Sequence, residues 1–208
     1  MARNILAFGA HPDDIELGCA GTLLKFAKSG NSVYLCVLSD GSQAGDPQVR
    51  KREQEEAARR LNAKELIWGN CVDTRIQVDK ETVSFIEDVI NRVKPDEVYV
   101  NYYDDTHQDH RALAQCVISA ARYIKRVLYY EDYTSQNFIP EIFVDIADVI
   151  DEKIYVMQAF ESQISRVFPS GLNIIESVKA VANFRGFNGK VHYAEGFKAV
   201  RYLKLDAS

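Results

Sequence analysis

Apolar and polar residues alternate in blocks along this chain. Short apolar runs at 5–8, 33–38, 65–68, 97–100, 127–130 and 141–145 read as strands. The stretches 18–28, 48–61, 80–93 and 111–124 carry apolar residues three and four positions apart, the period of a helix with one buried face. Strand then helix, repeated, predicts an α/β, Rossmann-like fold with a mainly parallel sheet flanked by helices. The punctuation agrees: Pro47 falls at the start of one predicted helix and Pro95 just beyond the end of another. After Tyr130 the alternation weakens; 147–163 and 173–184 read as helices, and 190–203 supplies a late strand or an excursion. With no internal repeat or linker, residues 1–208 are expected to form a single domain.

Composition changes this picture little. With 47% hydrophobic and 26% charged residues the chain is of ordinary globular type. A net charge of -5 argues against a nucleic-acid-binding surface. No run of about 18 apolar residues predicts a membrane span, and the N-terminal apolar stretch is too short for a secretory signal. Cys19, Cys36, Cys71 and Cys116 form no C-x-x-C pair, so they read as buried thiols in a reducing, cytoplasmic setting.

The chemistry lies in two polar clusters. Directly after the first predicted strand comes His11-Pro12-Asp13-Asp14-Ile15-Glu16, one imidazole among three carboxylates; after the fourth comes His107-Gln108-Asp109-His110. Together they hold three of the four histidines. In a doubly wound sheet the ligand crevice lies beyond the carboxyl ends of the strands, where both clusters fall. The polar loop 39–46 sits on the same side as a candidate rim. Several carboxylates beside an imidazole are costly in a folded interior unless a cation or hydrogen bonds neutralise them, and a divalent metal is the simplest resolution. A hydrolytic zinc site takes three protein ligands and leaves a fourth position open. His11 and Asp14 could supply two and His110 the third, leaving Asp13 beside the metal as a base. His107 and His110 share a face if a helix begins there, and only one of the two need ligate.

The strings Ala10-His11-Pro12-Asp13-Asp14 and His107-Gln108-Asp109-His110, in this order, resemble the zinc-dependent deacetylases named for LmbE and for PIG-L, the enzyme of glycosylphosphatidylinositol synthesis. Arg50, Glu53, Ala57 and Leu61 look like that family's helix after the first loop, and Tyr193-Ala194-Glu195-Gly196-Phe197 like its C-terminal signature. The resemblance implies metal ligands at His11, Asp14 and His110, and a general base at Asp13. It further implies that His107 stabilises the tetrahedral intermediate or protonates the amine, that Asp109 orients His107, and that Arg50 contacts substrate. It implies hydrolysis of the N-acetyl group of an N-acetylglucosamine-type conjugate, precursors of bacillithiol and mycothiol among them, and a homo-oligomeric assembly. Zinc is the expected cofactor, with Fe2+ compatible with the same donors. Asn62 and Val72 depart from a glycine and a proline common in the family, so the loops around the substrate transfer less securely than the metal site.

Blander readings compete. Asp13 and Asp14 could cap a helix starting near Ile15, which explains one aspartate but neither His11 nor the distant cluster. Tyr102 and Tyr103 either line a sugar pocket or pack in the core. His192 belongs to neither motif. A nucleotide-binding Rossmann-like module lacks G-x-G-x-x-G and would place carboxylates where phosphates need amides. A non-catalytic homologue should have lost a ligand or the base, and both motifs are whole.

Overall fold

Between β1 (Asn4–Gly9) and β2 (Ser32–Ser39) runs α1 (Asp14–Lys28), and this unit repeats with α2 (Pro47–Arg60), β3 (Glu65–Cys71), α3 (Lys80–Val93), β4 (Glu97–Asn101), α4 (Gln108–Ala120) and β5 (Arg126–Tyr130). The chain closes with β6 (Ile142–Asp145), α5 (Ile150–Met157), α6 (Glu161–Ile164), α7 (Ile174–Gly189) and β7 (Ala194–Tyr202). This computed structural model describes residues 2–166, 171 and 173–204. The sheet order is β3-β2-β1-β4-β5-β7-β6; the first five strands are parallel and β7 runs antiparallel to both neighbours. β1 pairs with β2 on one side and β4 on the other, so the strand order reverses there. The crevice of a doubly wound sheet opens at such a reversal, beyond the carboxyl ends of β1 and β4.

β1 is apolar throughout because both its faces are covered. Ile5 and Ala7 join one core cluster with Leu23, Leu35, Val37 and Phe160, under α1, α5 and α7. Leu6 and Phe8 join the other with Cys36, Val98, Val100, Leu113 and Val117, under α3 and α4.

Three elements differ from the pattern in instructive ways. The predicted helix 147–163 is two helices, α5 and α6, because the chain turns at Gln158–Phe160 to drive the Phe160 ring into the core. α7 continues to Gly189, with Gly186 letting it abut the backbone of His192: a Cβ there would lie 2.5 Å from that carbonyl oxygen. α1 starts at Asp14 rather than near Gly18, since its first turn is built of site residues that hide the apolar period.

One glycine ties the packing to the crevice. A Cβ on Gly18 would lie 2.1 Å from Cδ2 of Tyr130, whose ring is fully buried. The Tyr130 hydroxyl is shared between the Phe8 carbonyl (2.8 Å) and Asn101 Oδ1 (2.9 Å), and Asn101 Nδ2 donates to Asp14 Oδ2 (3.2 Å). The ring therefore cannot give way without disturbing Asp14. Gly18→Ala is expected to cost about 1–3 kcal/mol, toward the upper end, as overpacking; a lowered denaturation midpoint at unchanged m-value checks it.

Candidate metal centre

The turn after β1 is held from both sides. Asp14 Oδ2 accepts from the backbone N–H groups of Ala10 (2.9 Å) and His11 (3.0 Å), folding the chain back on itself. Asp13 stands at the helix N-cap position with φ 88 and makes no capping bond, so the capping reading fails at the side chain. Positive φ is strained for a residue other than glycine, and α2 holds the strain in place. Arg50 Nη1 donates to Asp13 Oδ2 (3.0 Å) and Nη2 to the Pro12 carbonyl (2.8 Å). One turn later Gln54 Oε1 accepts from Asp13 N–H (3.2 Å), while Gln54 Nε2 donates to Glu16 Oε1 (2.7 Å). Burial raises Asp13 to about 6 against the opposing pull of Arg50, and burial raises Glu16 to about 8.

The second cluster opens α4. His107 is its N-cap, with Nδ1 accepting from Asp109 N–H (3.3 Å). That places Asp109 and His110 in the first turn, His110 stacked on His107 at 4.7 Å between ring centres. The Asp109 carboxylate faces His11: Oδ2 lies 3.2 Å from His11 Nε2, and the two oxygens take the N–H groups of Thr74 and Ile76.

Three donor atoms from the two clusters close a triangle. His11 Nδ1 is 3.5 Å from Asp14 Oδ2, His110 Nε2 is 3.3 Å from Asp14 Oδ2, and His110 Nε2 is 3.3 Å from His11 Nδ1. Tetrahedral zinc with bonds of about 2.0–2.1 Å sets neighbouring donors about 3.3–3.4 Å apart, so the triangle has the dimensions of one face of that tetrahedron. Behind each imidazole stands a carboxylate, as metal-binding histidines require. His11 Nε2 faces Asp73 Oδ1 (3.1 Å) as well as Asp109; His110 Nδ1 faces Asp105 Oδ2 at 3.2 Å, a close ion-pair contact lacking good hydrogen-bond alignment. Burial works to lower His11 and His110, yet the surrounding carboxylates, Asp14 foremost, raise His11 well above its ordinary value and His110 to about 10. Burial alone would raise Asp14, yet His110 and His11 bring it well below the carboxylate range. The centre asks for positive charge, and a divalent cation fits it.

A cavity of about 330 Å³ opens onto this face. Of the residues singled out in the sequence, His11, Asp13, Asp14, His107, His110 and Arg50 line it, as do Gly41, Gln43 and Ala44 of the 39–46 loop. Asp109 is buried behind. Tyr102 packs against Tyr129 and Phe138, and Tyr103 is exposed, so neither lines the cavity. His192 lies against Tyr193, outside it. The pattern gave no warning of Asp73, Asp105, Asp132, Glu16 in its pairing, or Gln54. Asp132 and Tyr133 form a wall on the loop after β5, and burial with the nearby Asp14 charge raises Asp132 to about 8.

Known proteins share this sequence pattern and fold. The family model described as PIG-L, GlcNAc-PI de-N-acetylase, matches residues 6–121. The chain is 34% identical over 154 residues to the Escherichia coli K12 protein named uncharacterized deacetylase YaiS, covering 70% of this chain and 83% of that one. It is 28% identical over 233 residues to the diacetylchitobiose deacetylase of Thermococcus kodakarensis, covering 95% and 83%. The crystal structure of the conserved protein TT1542 from Thermus thermophilus superposes with a TM-score of 0.88 at 26% identity, over 98% of this chain and 97% of that one. A 4-carboxy-2-hydroxymuconate hydratase from Pseudomonas putida KT2440 shares the fold at a TM-score of 0.84 and 22% identity, over 99% of each chain.

Asp109 behind His11 has a measurable consequence. Asp109→Ala is expected to weaken zinc binding about 10–100-fold, read by competition with a chromophoric chelator. Unchanged affinity would leave Asp109 without an orienting role on His11.

Proposed function

Because the chain belongs to the PIG-L family, we propose that it is a metal-dependent hydrolase removing the N-acetyl group from an N-acetylglucosamine-type conjugate, with release of acetate and a free amine. The observation that carries this reading is the His11, Asp14 and His110 triangle, of zinc dimensions, beside an aspartate that is not part of it. These three residues would hold the metal. Zinc suits the two nitrogens and one oxygen, and Fe2+ accepts the same set. When bound, such an ion polarises the acetamide carbonyl and acidifies the attacking water.

The protein groups divide the remaining work. Asp13, with one oxygen fixed by Arg50, takes the proton of the attacking water on the other. His107 spends Nδ1 on the Asp109 amide, which leaves Nε2 as its donor toward the carbonyl oxygen as charge builds there, or toward the departing amine. Asp109 and Asp73 fix the ring of His11. Arg50 acts first on Asp13 and the Pro12 carbonyl, which take one N–H each, from Nη1 and Nη2; the second N–H on each nitrogen is left for a substrate atom, while Nε is buried without a partner.

The proposal extends to a single working unit over residues 1–208, supported by β7 lying between β5 and β6 within one sheet, and to a cytoplasmic homo-oligomer, a setting that four free cysteines suit. No helix among the described residues is long and apolar enough to cross a membrane.

Acetate release from N,N′-diacetylchitobiose and from N-acetylglucosamine tests the reading; it should stop on chelation and return with added zinc. Asp13→Ala should lower kcat about 10²–10⁴-fold with metal content unchanged, and near-normal turnover would refute the base. His110→Ala should lower the metal content itself, and an undiminished zinc stoichiometry would refute ligation.

A further inference from the structure

At the amino ends of the parallel strands, on the rim of the sheet opposite the metal centre, lies a groove of about 300 Å³. Four stretches of chain meet there: Arg3 before β1, Pro95 and Asp96 before β4, residues 123–126 leading into β5, and Leu203 after β7. Sheet order enforces the meeting. β1, β4, β5 and β7 are consecutive neighbours, and β7 alone of the four runs the other way, so its end lies beside their beginnings. The Leu203 N–H donates to the Lys125 carbonyl (3.1 Å) and the Asp96 N–H to the Asn4 carbonyl (2.8 Å), fastening these stretches together.

Three cations face the groove with most of their donors unspent. Arg126 is only 8% exposed; its Nε donates to the Leu203 carbonyl (3.1 Å), and neither Nη group makes a hydrogen bond to the described residues. Arg3 Nη1 and Arg126 Nη1 both stand 3.6 Å from one oxygen, Glu97 Oε2, beyond hydrogen-bond reach, while Glu97 Oε1 accepts from the Tyr99 hydroxyl (2.6 Å). One carboxylate is thereby shared between two guanidiniums. Arg3 lies 5.0 Å from the Phe26 ring centre and Arg126 5.5 Å from that of Tyr202, contacts that hold both groups without using a hydrogen bond. The exposed Lys125 pairs with no carboxylate among the described residues, and Asp96, the one acid lining the groove, turns Oδ2 onto the Asn4 N–H (2.8 Å). Behind them Arg201 donates to the Ala121 and Ile124 carbonyls. Four cations therefore face two carboxylates, Asp96 and Glu97, in a chain whose net charge is -5. Free guanidinium forks match phosphate oxygens, and a phosphate monoester carries about -1.5 to -2 charges. The groove also offers Pro95, Tyr123 and Ile124 as an apolar side, and its volume has room for an organic group on the phosphate.

We propose that this groove binds a phosphate monoester, the phosphoryl group lying among Arg3, Lys125 and Arg126 and its organic part along Pro95, Tyr123 and Ile124. The site is separate from the metal centre and does not depend on the deacetylase reading. Calorimetric titration of the zinc-loaded enzyme at low salt, with glucose 6-phosphate, inorganic phosphate and glucose, tests it. The ester should bind saturably and more tightly than inorganic phosphate, glucose should not bind, and added NaCl should weaken the ester. The double variant Arg3→Gln/Lys125→Gln alters two solvent-accessible side chains. It should lower the affinity for the ester at least about 10-fold with zinc content and thermal midpoint unchanged. Absence of saturable binding by either phosphate would overturn the site. So would unchanged affinity in the double variant, which would put the anion on the metal. Tighter binding of inorganic phosphate than of the ester would overturn the ester. Phosphatidylcholine vesicles carrying phosphatidic acid should leave the protein in the supernatant; co-sedimentation that the double variant abolishes would assign the groove to a lipid headgroup and overturn the soluble ligand.

Discussion

Negative charge gathered without a protein cation at its centre is the constraint on which this structure turns. Asp14, Asp73, Asp105 and Asp109 all approach the two imidazoles of His11 and His110 within 3.5 Å. Unit charges 4 Å apart interact by about 4 kcal/mol even at an effective dielectric near 20. A fold stable by only about 5–15 kcal/mol cannot hold such a set uncompensated. Without a metal the imidazoles hold protons to supply the balance, which is why burial fails to depress them. With a divalent ion the same residues become neutral ligands backed by carboxylates.

The surrounding fold is arranged to make that concentration of charge rigid. The strand reversal between β1 and β4 brings the two clusters to one crevice. α2 then presents Arg50, Glu53 and Gln54 on adjoining turns, each spent on a different wall. Arg50 and Gln54 clamp Asp13, and Glu53 accepts from the backbone and hydroxyl of Ser162 at the start of α6. From the far side Glu195 accepts the N–H groups of Gly21 and Thr22, in the middle of α1, while Lys153 pairs with Glu195 and donates to the Leu17 carbonyl. This buried pair stitches β7 and α5 to the helix that carries Asp14, and leaves the first turn of α1 little freedom to move.

What could be read in advance follows from how local each feature is. The five parallel strands were legible because strands buried on both faces are continuous apolar runs. The two clusters were legible because each packs its chemistry into a few consecutive residues at a strand end. Asp73 and Asp132 were not, being single aspartates in loops with nothing in sequence to distinguish them from solvated ones. Asp109 was placed in the site, but its partner depends on the N-cap of α4: once His107 Nδ1 takes the Asp109 amide, the carboxylate is carried round to His11. The position of β7 between β5 and β6 was hidden as well, because antiparallel insertion depends on pairing across the whole C-terminal part of the sheet.

The triangle and the base proposed beside it are indifferent to what the water attacks, so the choice of reaction must lie in the walls. Here one wall is Asp73, turned onto His11, and the other is Asp132, whose buried carboxyl is raised to about 8 beside Asp14 and so keeps its proton at neutral pH. A divalent cation on the triangle, Arg50 and that proton together offset the remaining carboxylates, so the walls meet a ligand with hydrogen-bonding groups rather than with a net field, which suits an uncharged acetamide.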